Sequence, residues 1–273
     1  MKVLILDGYN LIYRARYSFG GKGEYATTFS FFRSLRPLVE KFDPDKVYFV
    51  LEGYPKWRYE LHPEYKGTRP KDKDDLFHKN KRQIISILKE DFPISVIRHP
   101  EFECDDVIAH LVRESHPTDN CVVISTDTDF IQLYNTNDNV KLYNPIKKKF
   151  VPTPFFDYVK WKALKGDDSD NIDGIPQIGS KRAVDLVTDD GRLEAFLAEN
   201  VDRRAKFEKN YRLIKFAKIT SDNLFETFVR SSSWEKIREK FNKLEFKSIT
   251  NEKSWIKFQR TFAKLGKRCY NKQ

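Results

Sequence analysis

Acidic residues directly follow three apolar segments of this sequence. Asp7 ends LILD, Glu52 ends FVLE, and Asp127 and Asp129 follow VVIST. Two carboxylates 4 Å apart repel by roughly 1 kcal/mol in water and by about 4 kcal/mol at an effective dielectric constant of 20. If the fold brings these four side chains together, they must either be protonated or share bound cations.

Two further acidic groups lie later in the chain. They contribute six more carboxylates: Glu103, Asp105 and Asp106 in EFECDDVI, and Asp167, Asp168 and Asp170 in KGDDSDNIDG. Aspartate also caps helices and forms turns, so each group taken alone is more typical of a structural role. As a set of hard oxygen ligands, without histidine or thiolate at these positions, they favour Mg²⁺ or Mn²⁺ over Zn²⁺. Two such ions can promote hydrolysis of a phosphodiester.

The order of apolar and mixed segments predicts the elements that position these acids. Strands are predicted at 2–6, 46–51, 94–97, 121–125 and 140–143, and helices at 27–42, 76–90 and 105–115. Strands that alternate with helices indicate an α/β fold with a mostly parallel central sheet flanked by helices. Ligands of such sheets bind beyond the carboxyl ends of the strands, where Asp7, Glu52 and Asp127 stand.

Positive charge is concentrated in WRYELHPEYKGTRPKDKDDLFHKNKR, residues 57–82, in a chain with a net charge of +10 and a pI near 9.3. By itself such a run is more typical of a solvated loop that leads into an amphipathic helix. The overall basic balance indicates an acidic partner, and nucleic acid is the commonest partner of this kind.

The segment GIPQIGSKRAVDLV, residues 174–187, is a second feature suited to nucleic acid. Gly174 and Gly179 flank a tight turn, and Ser180 can begin a helix whose first N–H groups face a phosphate. Lys181 and Arg182 would add positive charge. Contacts of this kind position a duplex without reading its sequence.

Five ordered motifs make the segment from Asp7 to Val187 similar to the flap endonuclease and 5′-3′ exonuclease superfamily. They are DGYN, LEGYPKWR with YKGTR, EFECDD, STDTD and GDDSDNIDGIPQIGSKRA. The chain resembles in particular the stand-alone bacteriophage type and the 5′ nuclease domain of bacterial DNA polymerase I. Glu52 departs from the pattern, because the family usually has an aspartate there. We expect this glutamate to alter the geometry of ion binding without abolishing activity.

The resemblance implies a PIN-like α/β fold with a helical arch and a helix-hairpin-helix subdomain of the helix-three-turn-helix form. We expect residues 1–160 to form the nuclease domain, with the arch at about 56–90. Residues 161–273 are expected to form the helical DNA-binding region and the C-terminal helices, which should pack against the sheet domain.

The resemblance also implies ligands for two or more Mg²⁺ or Mn²⁺ ions. These ligands are Asp7, Glu52, Glu103, Asp105, Asp106, Asp127, Asp129, Asp167 and Asp170. Asp168 does not match an acidic position of the motif and is left out. The residues expected to be catalytic are Asp7, Asp105, Asp127, Lys66 and Arg69. Of these, Lys66 would approach the scissile phosphate from the side opposite the ions, and Arg69 would neutralise the same phosphate.

Contacts with DNA are implied for the arch and for the hairpin. The residues concerned are Arg58, Tyr65, Lys66, Arg69, Gly174, Ile175, Gly179, Ser180, Lys181 and Arg182. Tyr65 is expected either to stack on a base near the cleavage point or to pack at the base of the arch. The hairpin would grip the backbone of the duplex, and K⁺ is the cation expected there.

The sequence therefore predicts a divalent-metal-dependent, structure-specific 5′ nuclease. Its expected partners are DNA with a 5′ flap, a nick or a single-stranded 5′ end, including RNA-primed DNA. A PIN-type ribonuclease acting on RNA and a non-catalytic DNA-binding relative are the alternatives. We expect a monomer in the cytoplasm of a bacterial cell or of a phage-infected host. We expect no membrane association, because no apolar run approaches roughly 18 residues.

Overall fold

The computed structural model describes residues 1–18, 23–70, 72–134, 139–220, 223–229 and 232–270, with side chains up to Leu265. The strands in this part of the chain are Lys2–Asp7 (β1), Lys46–Leu51 (β2), Ser95–Arg98 (β3), Asn120–Ile124 (β4), Val140–Asn144 (β5), Lys149–Phe150 (β6), Gly166–Asp167 (β7), Ile172–Asp173 (β8) and Phe225–Thr227 (β9). The five predicted strands correspond to β1 through β5, and their ends differ by a residue at most.

Seven of the described strands form one sheet in the order β6-β5-β4-β1-β2-β3-β9. The five inner strands are parallel, and the edge strands β6 and β9 run antiparallel to their neighbours. The prediction of a mostly parallel central sheet flanked by helices is therefore confirmed. Because parallel strands end at the same edge, the residues that follow β1, β2 and β4 become neighbours.

The helices connect these strands and continue to the C-terminal end of the described chain. Their bounds are Gly8–Tyr17 (α1), Ala26–Phe42 (α2), Lys56–Leu61 (α3), Asp75–Asp91 (α4), Cys104–His110 (α5), Tyr158–Lys165 (α6), Ser180–Val187 (α7), Asp190–Ala198 (α8), Val201–Ile214 (α9), Trp234–Lys243 (α10), Lys247–Thr250 (α11) and Glu252–Tyr270 (α12). A π-helical turn, Leu111–Ser115, continues α5. No described helix combines the length and the apolar character that a membrane span requires.

The sheet is buried on both faces, as expected for a parallel sheet whose strands are apolar along their whole length. Leu4 and Leu6 contribute to a core with α2, α4, α10 and α12. Val3 and Ile5 point to the opposite face and contribute to a core with α5. Successive side chains of β1 thus pack in two different cores, one on each face of the sheet.

A third core lies outside the sheet, between α6, α7, α8 and α9. The chain then returns to the sheet, because β9 pairs with β3 and because α10 and α12 pack in the same core as α2. This arrangement agrees with the expectation that the C-terminal helices pack on the sheet domain. The division of the chain into 1–160 and 161–273 stays a prediction.

The loop after β8 packs too closely against the end of α6 to admit a side chain at Gly174. A Cβ atom there would lie 2.1 Å from the backbone oxygen of Lys165. The N–H of Ile175 also donates to the carbonyl of Leu164 at 2.7 Å, so the backbone has little freedom to move. We therefore expect Gly174→Ala to lower the free energy of unfolding by about 1–3 kcal/mol, measured by urea denaturation.

Gly179→Ala is the matched control in the same segment. No atom lies within 4 Å of the position that a Cβ at Gly179 would take, and its φ of −88° suits any residue. We expect this change to cost less than about 1 kcal/mol. Equal losses for the two variants would contradict the packing argument.

Candidate metal and nucleic-acid site

Asp7 and Glu52 are held at the carboxyl edge of the sheet by hydrogen bonds. Asp7 caps α1 by accepting from the N–H of Asn10 at 3.2 Å, and it accepts from Oγ of Ser125 at 2.7 Å. Ser125 follows β4, the neighbour of β1 in the sheet. Glu52 follows β2 and accepts from the N–H of Cys104, at the start of α5, at 2.9 Å. Both carboxylates are therefore fixed by groups from adjacent elements.

The remaining acids come from α5, from the turn after β4 and from the loop after α6. Asp127 accepts from the N–H of Asp129 at 2.8 Å and so caps the 3-10 turn Thr128–Leu133. The acids line one cleft of about 600 Å³: Asp7, Glu52, Glu103, Asp105, Asp127, Asp129, Asp167 and Asp170. The structure thus brings together every predicted metal ligand except Asp106.

Burial and mutual repulsion destabilise the anionic forms of several of these acids. Desolvation is the main cause that raises the pKa of Asp7 to about 6. Desolvation and the nearby charge of Glu103 raise the pKa of Glu52 to about 7. Desolvation and the charge of Asp127 raise the pKa of Asp129 to about 6. A bound cation would relieve both effects, since it would replace lost hydration and offset the repulsion.

The arch segment supplies two cations that contact the acids of the cleft. Nζ of Lys66 donates to Oε1 of Glu103 at 2.5 Å, and Nη2 of Arg69 donates to Oδ1 of Asp170 at 2.5 Å. The backbone N–H of Lys66 also donates to the carbonyl of Asp170, which ties the arch to the loop after α6. The two predicted phosphate-binding cations therefore lie at the wall of the acidic cleft.

Lys162, on α6, is a residue of the cleft that the sequence analysis did not predict. Its Nζ donates to Oδ1 of Asp129 and lies 2.7 Å from Oδ2 of Asp167. The sequence contains one indication of this role: Lys162 stands just over one helical turn before the acidic segment that begins at Asp167. That signal is weak, because lysines are common on exposed helix faces.

Arg58 and Asp106 form a buried ion pair, and this corrects two predictions. Nη1 and Nη2 of Arg58 donate to the two oxygens of Asp106 at 2.6 and 2.8 Å, and Nη1 also donates to Glu103 at 2.7 Å. Asp106 is fully buried and accepts from the N–H of Ala217 as well. Asp106 therefore does not line the cleft, and Arg58 is buried and paired rather than exposed to a ligand. The neighbouring Asp105 does line it, because consecutive helical residues point about 100° apart.

Tyr65 is buried at the base of the arch and cannot offer its ring to a nucleic-acid base. Its hydroxyl oxygen lies 3.0 Å from a carboxylate oxygen of Glu103 and 3.0 Å from one of Asp170, so its single proton can be donated to either, and its ring packs in the third core. Of the two roles expected for Tyr65, the structure supports packing. Glu103 accepts from two cationic side chains, Arg58 and Lys66, whereas Asp129, Asp167 and Asp170 each contact one.

The glycine-bounded turn leads into α7, as the sequence predicts, and part of it is open to a ligand. Of the residues predicted to contact DNA in this segment, the exposed ones are Gly179, Ser180, Lys181 and Arg182. Ile175 is buried, and its N–H donates to a carbonyl of α6, so the prediction of a DNA contact for Ile175 does not fit the structure. Gly174 packs against the same helix end. These two residues shape the turn, and its exposed end faces solvent.

In the part of the chain that the structure describes, no group of three or more His, Cys, Asp or Glu side chains is arranged to hold a metal ion. Lysine and arginine side chains contact oxygens of Glu103, Asp129 and Asp170. The acids lie in one cleft, and several of them contact lysine or arginine side chains.

Residues 2–160 match the family model described as 5′-3′ exonuclease, N-terminal resolvase-like domain. The chain belongs to the 5′-3′ exonuclease family. This membership confirms the resemblance and also the enzyme class, a phosphodiester hydrolase, that the five motifs predict.

Curated relatives of this 5′-3′ exonuclease include both small and large proteins. The 5′-3′ exonuclease of Aquifex aeolicus is 30% identical over 92% of this chain and 95% of its own length. The thermostable DNA polymerase I of Thermus aquaticus is 28% identical over 92% of this chain and 33% of the polymerase. The similarity to the polymerase is thus confined to about a third of that enzyme.

Solved nucleases of low sequence identity share the fold. The bacteriophage T5 flap endonuclease, in a pseudo-enzyme-product complex with DNA and metal ions, gives a TM-score of 0.65 at 18% identity, covering 98% of this chain and 100% of that chain. Human GEN1, in complex with Holliday junction DNA, gives 0.57 at 16% identity and covers 89% of this chain and 68% of that chain. These likenesses support the PIN-like fold class.

Proposed function

We propose that this 5′-3′ exonuclease is a divalent-metal-dependent, structure-specific nuclease that hydrolyses DNA at 5′ ends, flaps and nicks. The observation that carries the proposal is one cleft lined by eight carboxylates and by Lys66 and Arg69, which contact two of them. Carboxylates suit metal ions, and the cations suit the phosphate that the ions would activate. A site of this composition is adapted to a phosphodiester.

The residues of the cleft fit divalent ions by their chemistry. The donors are oxygens, and desolvation together with the charge of Asp127 raises the pKa of Asp105 well above its usual range, which is the response of an acid that lacks a cation. Two ions bound there would activate a water molecule and stabilise the leaving oxygen. We propose Mg²⁺ or Mn²⁺, because hard cations prefer carboxylate oxygens.

Lys66 and Arg69 would bind the scissile phosphate from the side of the arch. Both already contact anionic oxygens in the cleft, so a phosphate of the substrate would offer them an equivalent partner. Their donors are held near the place where negative charge develops, which is the condition for electrostatic stabilisation of a transition state. The exposed start of α7, with Lys181 and Arg182, would hold the duplex by its backbone, with K⁺ proposed at the hairpin.

Two alternatives differ from this proposal in substrate or in chemistry. A PIN-type ribonuclease would share the carboxylates but would not need the YKGTR segment or the GIPQIGSKRA turn, both of which this sequence contains. A non-catalytic DNA-binding relative would retain the basic elements and lose acids, whereas eight acids line this cleft.

We further propose that the enzyme acts as a monomer in the cytoplasm and that it also removes RNA primers.

Incubation with end-labelled substrates tests the proposal. A 5′ flap, a nicked duplex and single-stranded DNA and RNA are compared in Mg²⁺ and in EDTA, and the products are sized on a denaturing gel. We expect cleavage of the DNA substrates in Mg²⁺ and none in EDTA. Cleavage confined to unstructured RNA would favour the ribonuclease, and binding without cleavage in any divalent ion would favour the non-catalytic relative.

Lys66→Met removes the charge of this arch residue and keeps an aliphatic stem of similar length. We expect the single-turnover cleavage rate to fall by roughly 10²- to 10³-fold, because a preorganised cation at the developing charge is lost. Lys56→Met is the matched control, since Lys56 is an exposed arch residue that pairs with the exposed Glu60. An unchanged rate in Lys66→Met would contradict a role at the phosphate.

A further inference from the structure

Glu103 and Asp170 pair with Lys66 and Arg69, and the other six carboxylates of the cleft fall into two groups that differ in their cationic partners. The first group is Asp7, Glu52, Asp105 and Asp127. Within the described residues, none of these four forms an ion pair with lysine or arginine. Asp7, Glu52 and Asp127 accept from neutral groups, the hydroxyl group of Ser125 or a backbone N–H. The second group is Asp129 and Asp167, and both of these contact the ammonium group of Lys162.

Lys162 is built into the site and is not a surface lysine that happens to reach it. Lys162 is 9% exposed, and the next residue of α6, Ala163, is fully buried. The carbonyl of Ala163 accepts from Nδ2 of Asn210 at 3.0 Å, which ties this turn of α6 to α9. On the other side, Oδ1 of Asp167 accepts from Oγ of Ser169 at 2.7 Å, so the second oxygen is left to Lys162. The ammonium group therefore has a fixed place between two fixed acids.

An ammonium group and a divalent ion compete for the same carboxylate oxygens, since both neutralise the same charges. An ion that approaches the first group meets no lysine or arginine paired with those four carboxylates, and the charge of Lys66 acts on Glu52 and Asp105 without an ion pair. An ion that approaches Asp129 and Asp167 must displace Lys162 or tolerate a positive charge a few Å away.

We propose that Lys162 is the resident counter-ion of the second group and makes the two ion positions unequal. One ion binds tightly at Asp7, Glu52, Asp105 and Asp127, and the ion at the second group binds weakly because it competes with Lys162. The inference rests on the proposed function, because it assumes that the cleft holds divalent ions. Lys162 acts through the carboxylates and is a positioning residue.

Binding of Mn²⁺ to the metal-free full chain tests this inference without measuring catalysis. Isothermal titration calorimetry and the electron paramagnetic resonance signal of free Mn²⁺ are recorded for the wild type, Lys162→Met and Lys160→Met. Lys160→Met is the matched control, because Lys160 lies on the same helix and pairs with the exposed Asp190. We expect Lys162→Met to tighten the weaker site roughly tenfold or more. The tighter site should change little, and Lys160→Met should resemble the wild type.

Further variants and thermal unfolding keep the test decisive if Lys162→Met folds poorly. Lys162→Arg retains the charge and should keep the weak second site. Asp167→Asn should preserve the tight site and lose the weak one. Thermal unfolding with and without Mn²⁺ should show a larger stabilisation by Mn²⁺ in Lys162→Met than in the wild type.

The outcomes separate this inference from the proposed function. If the wild type binds Mn²⁺ and Lys162→Met leaves the weaker site unchanged or weakens it, the counter-ion role is overturned while the proposed function stands. If the wild type binds no Mn²⁺ in the cleft, both are overturned.

Discussion

Asp127→Asn should bind flap DNA as the wild type does and cleave it at least roughly 10²-fold more slowly. The side-chain oxygen of an asparagine can still accept from the N–H of Asp129, the bond that caps the turn after β4, so the fold should be retained. The substitution removes one negative charge from the cleft acids while the basic surfaces of the arch and α7 stay intact. Fluorescence anisotropy with labelled flap DNA measures binding, and single-turnover cleavage in Mg²⁺ measures the rate.

Asp168→Asn is the control for this comparison. Asp168 is exposed, lies in the GDDSDN loop beside Asp167 and does not line the cleft. The Asp168→Asn variant should cleave flap DNA at nearly the wild-type rate, although it also loses one negative charge close to the cleft. Equal activity of Asp127→Asn and the wild type would refute the assignment of the cleft as the catalytic site.

Arg58→Met should have the largest effect on stability, a loss of about 3–5 kcal/mol in the free energy of unfolding. The guanidinium group donates to both oxygens of Asp106 and to Glu103, and its Nε donates to the carbonyl of Leu213 at 3.1 Å. Methionine would leave the fully buried charge of Asp106 without its cationic partner. Urea denaturation followed by circular dichroism measures the loss.

Arg204→Met separates this effect from the general cost of removing an arginine. Arg204 pairs with Glu194 at 2.9 Å on the surface, where both side chains are more than a third exposed. Exposed pairs contribute about 0–1 kcal/mol, so this control should be nearly neutral. A loss in Arg58→Met no larger than in Arg204→Met would show that the ion pair to Asp106 does not stabilise the fold.

The strands and the acids that follow them could be predicted because their signals are local. The run from Val140 to Tyr143 is predicted and is found as β5, since a short apolar segment bounded by polar residues has few other stable arrangements. β9 could not be predicted in this way. Its three residues, FET, are exposed and carry no pattern, and they form a strand only because β3 offers an unpaired edge.

Among the candidate site residues, the sequence could not separate neighbours of the same type. Asp105 and Asp106 are identical in chemistry and adjacent in the chain, but the first lines the cleft and the second binds Arg58. The sequence allowed Tyr65 either to stack on a base or to pack in the core, and its burial supports packing. Lys162 gave only a weak signal, because its partners Asp129 and Asp167 follow a strand and a helix at different positions in the chain.

The sequence by itself determined the class of the fold, the edge of the sheet at which acids gather and the family to which the chain belongs. These depend on residue type and on spacing along the chain, which a sequence contains in full. Only the tertiary structure decided which acids line the cleft and which of them contact a lysine or an arginine. That choice depends on the direction of each side chain and on partners far away in sequence, since the charge of a carboxylate is set by what lies within a few Å of it in space.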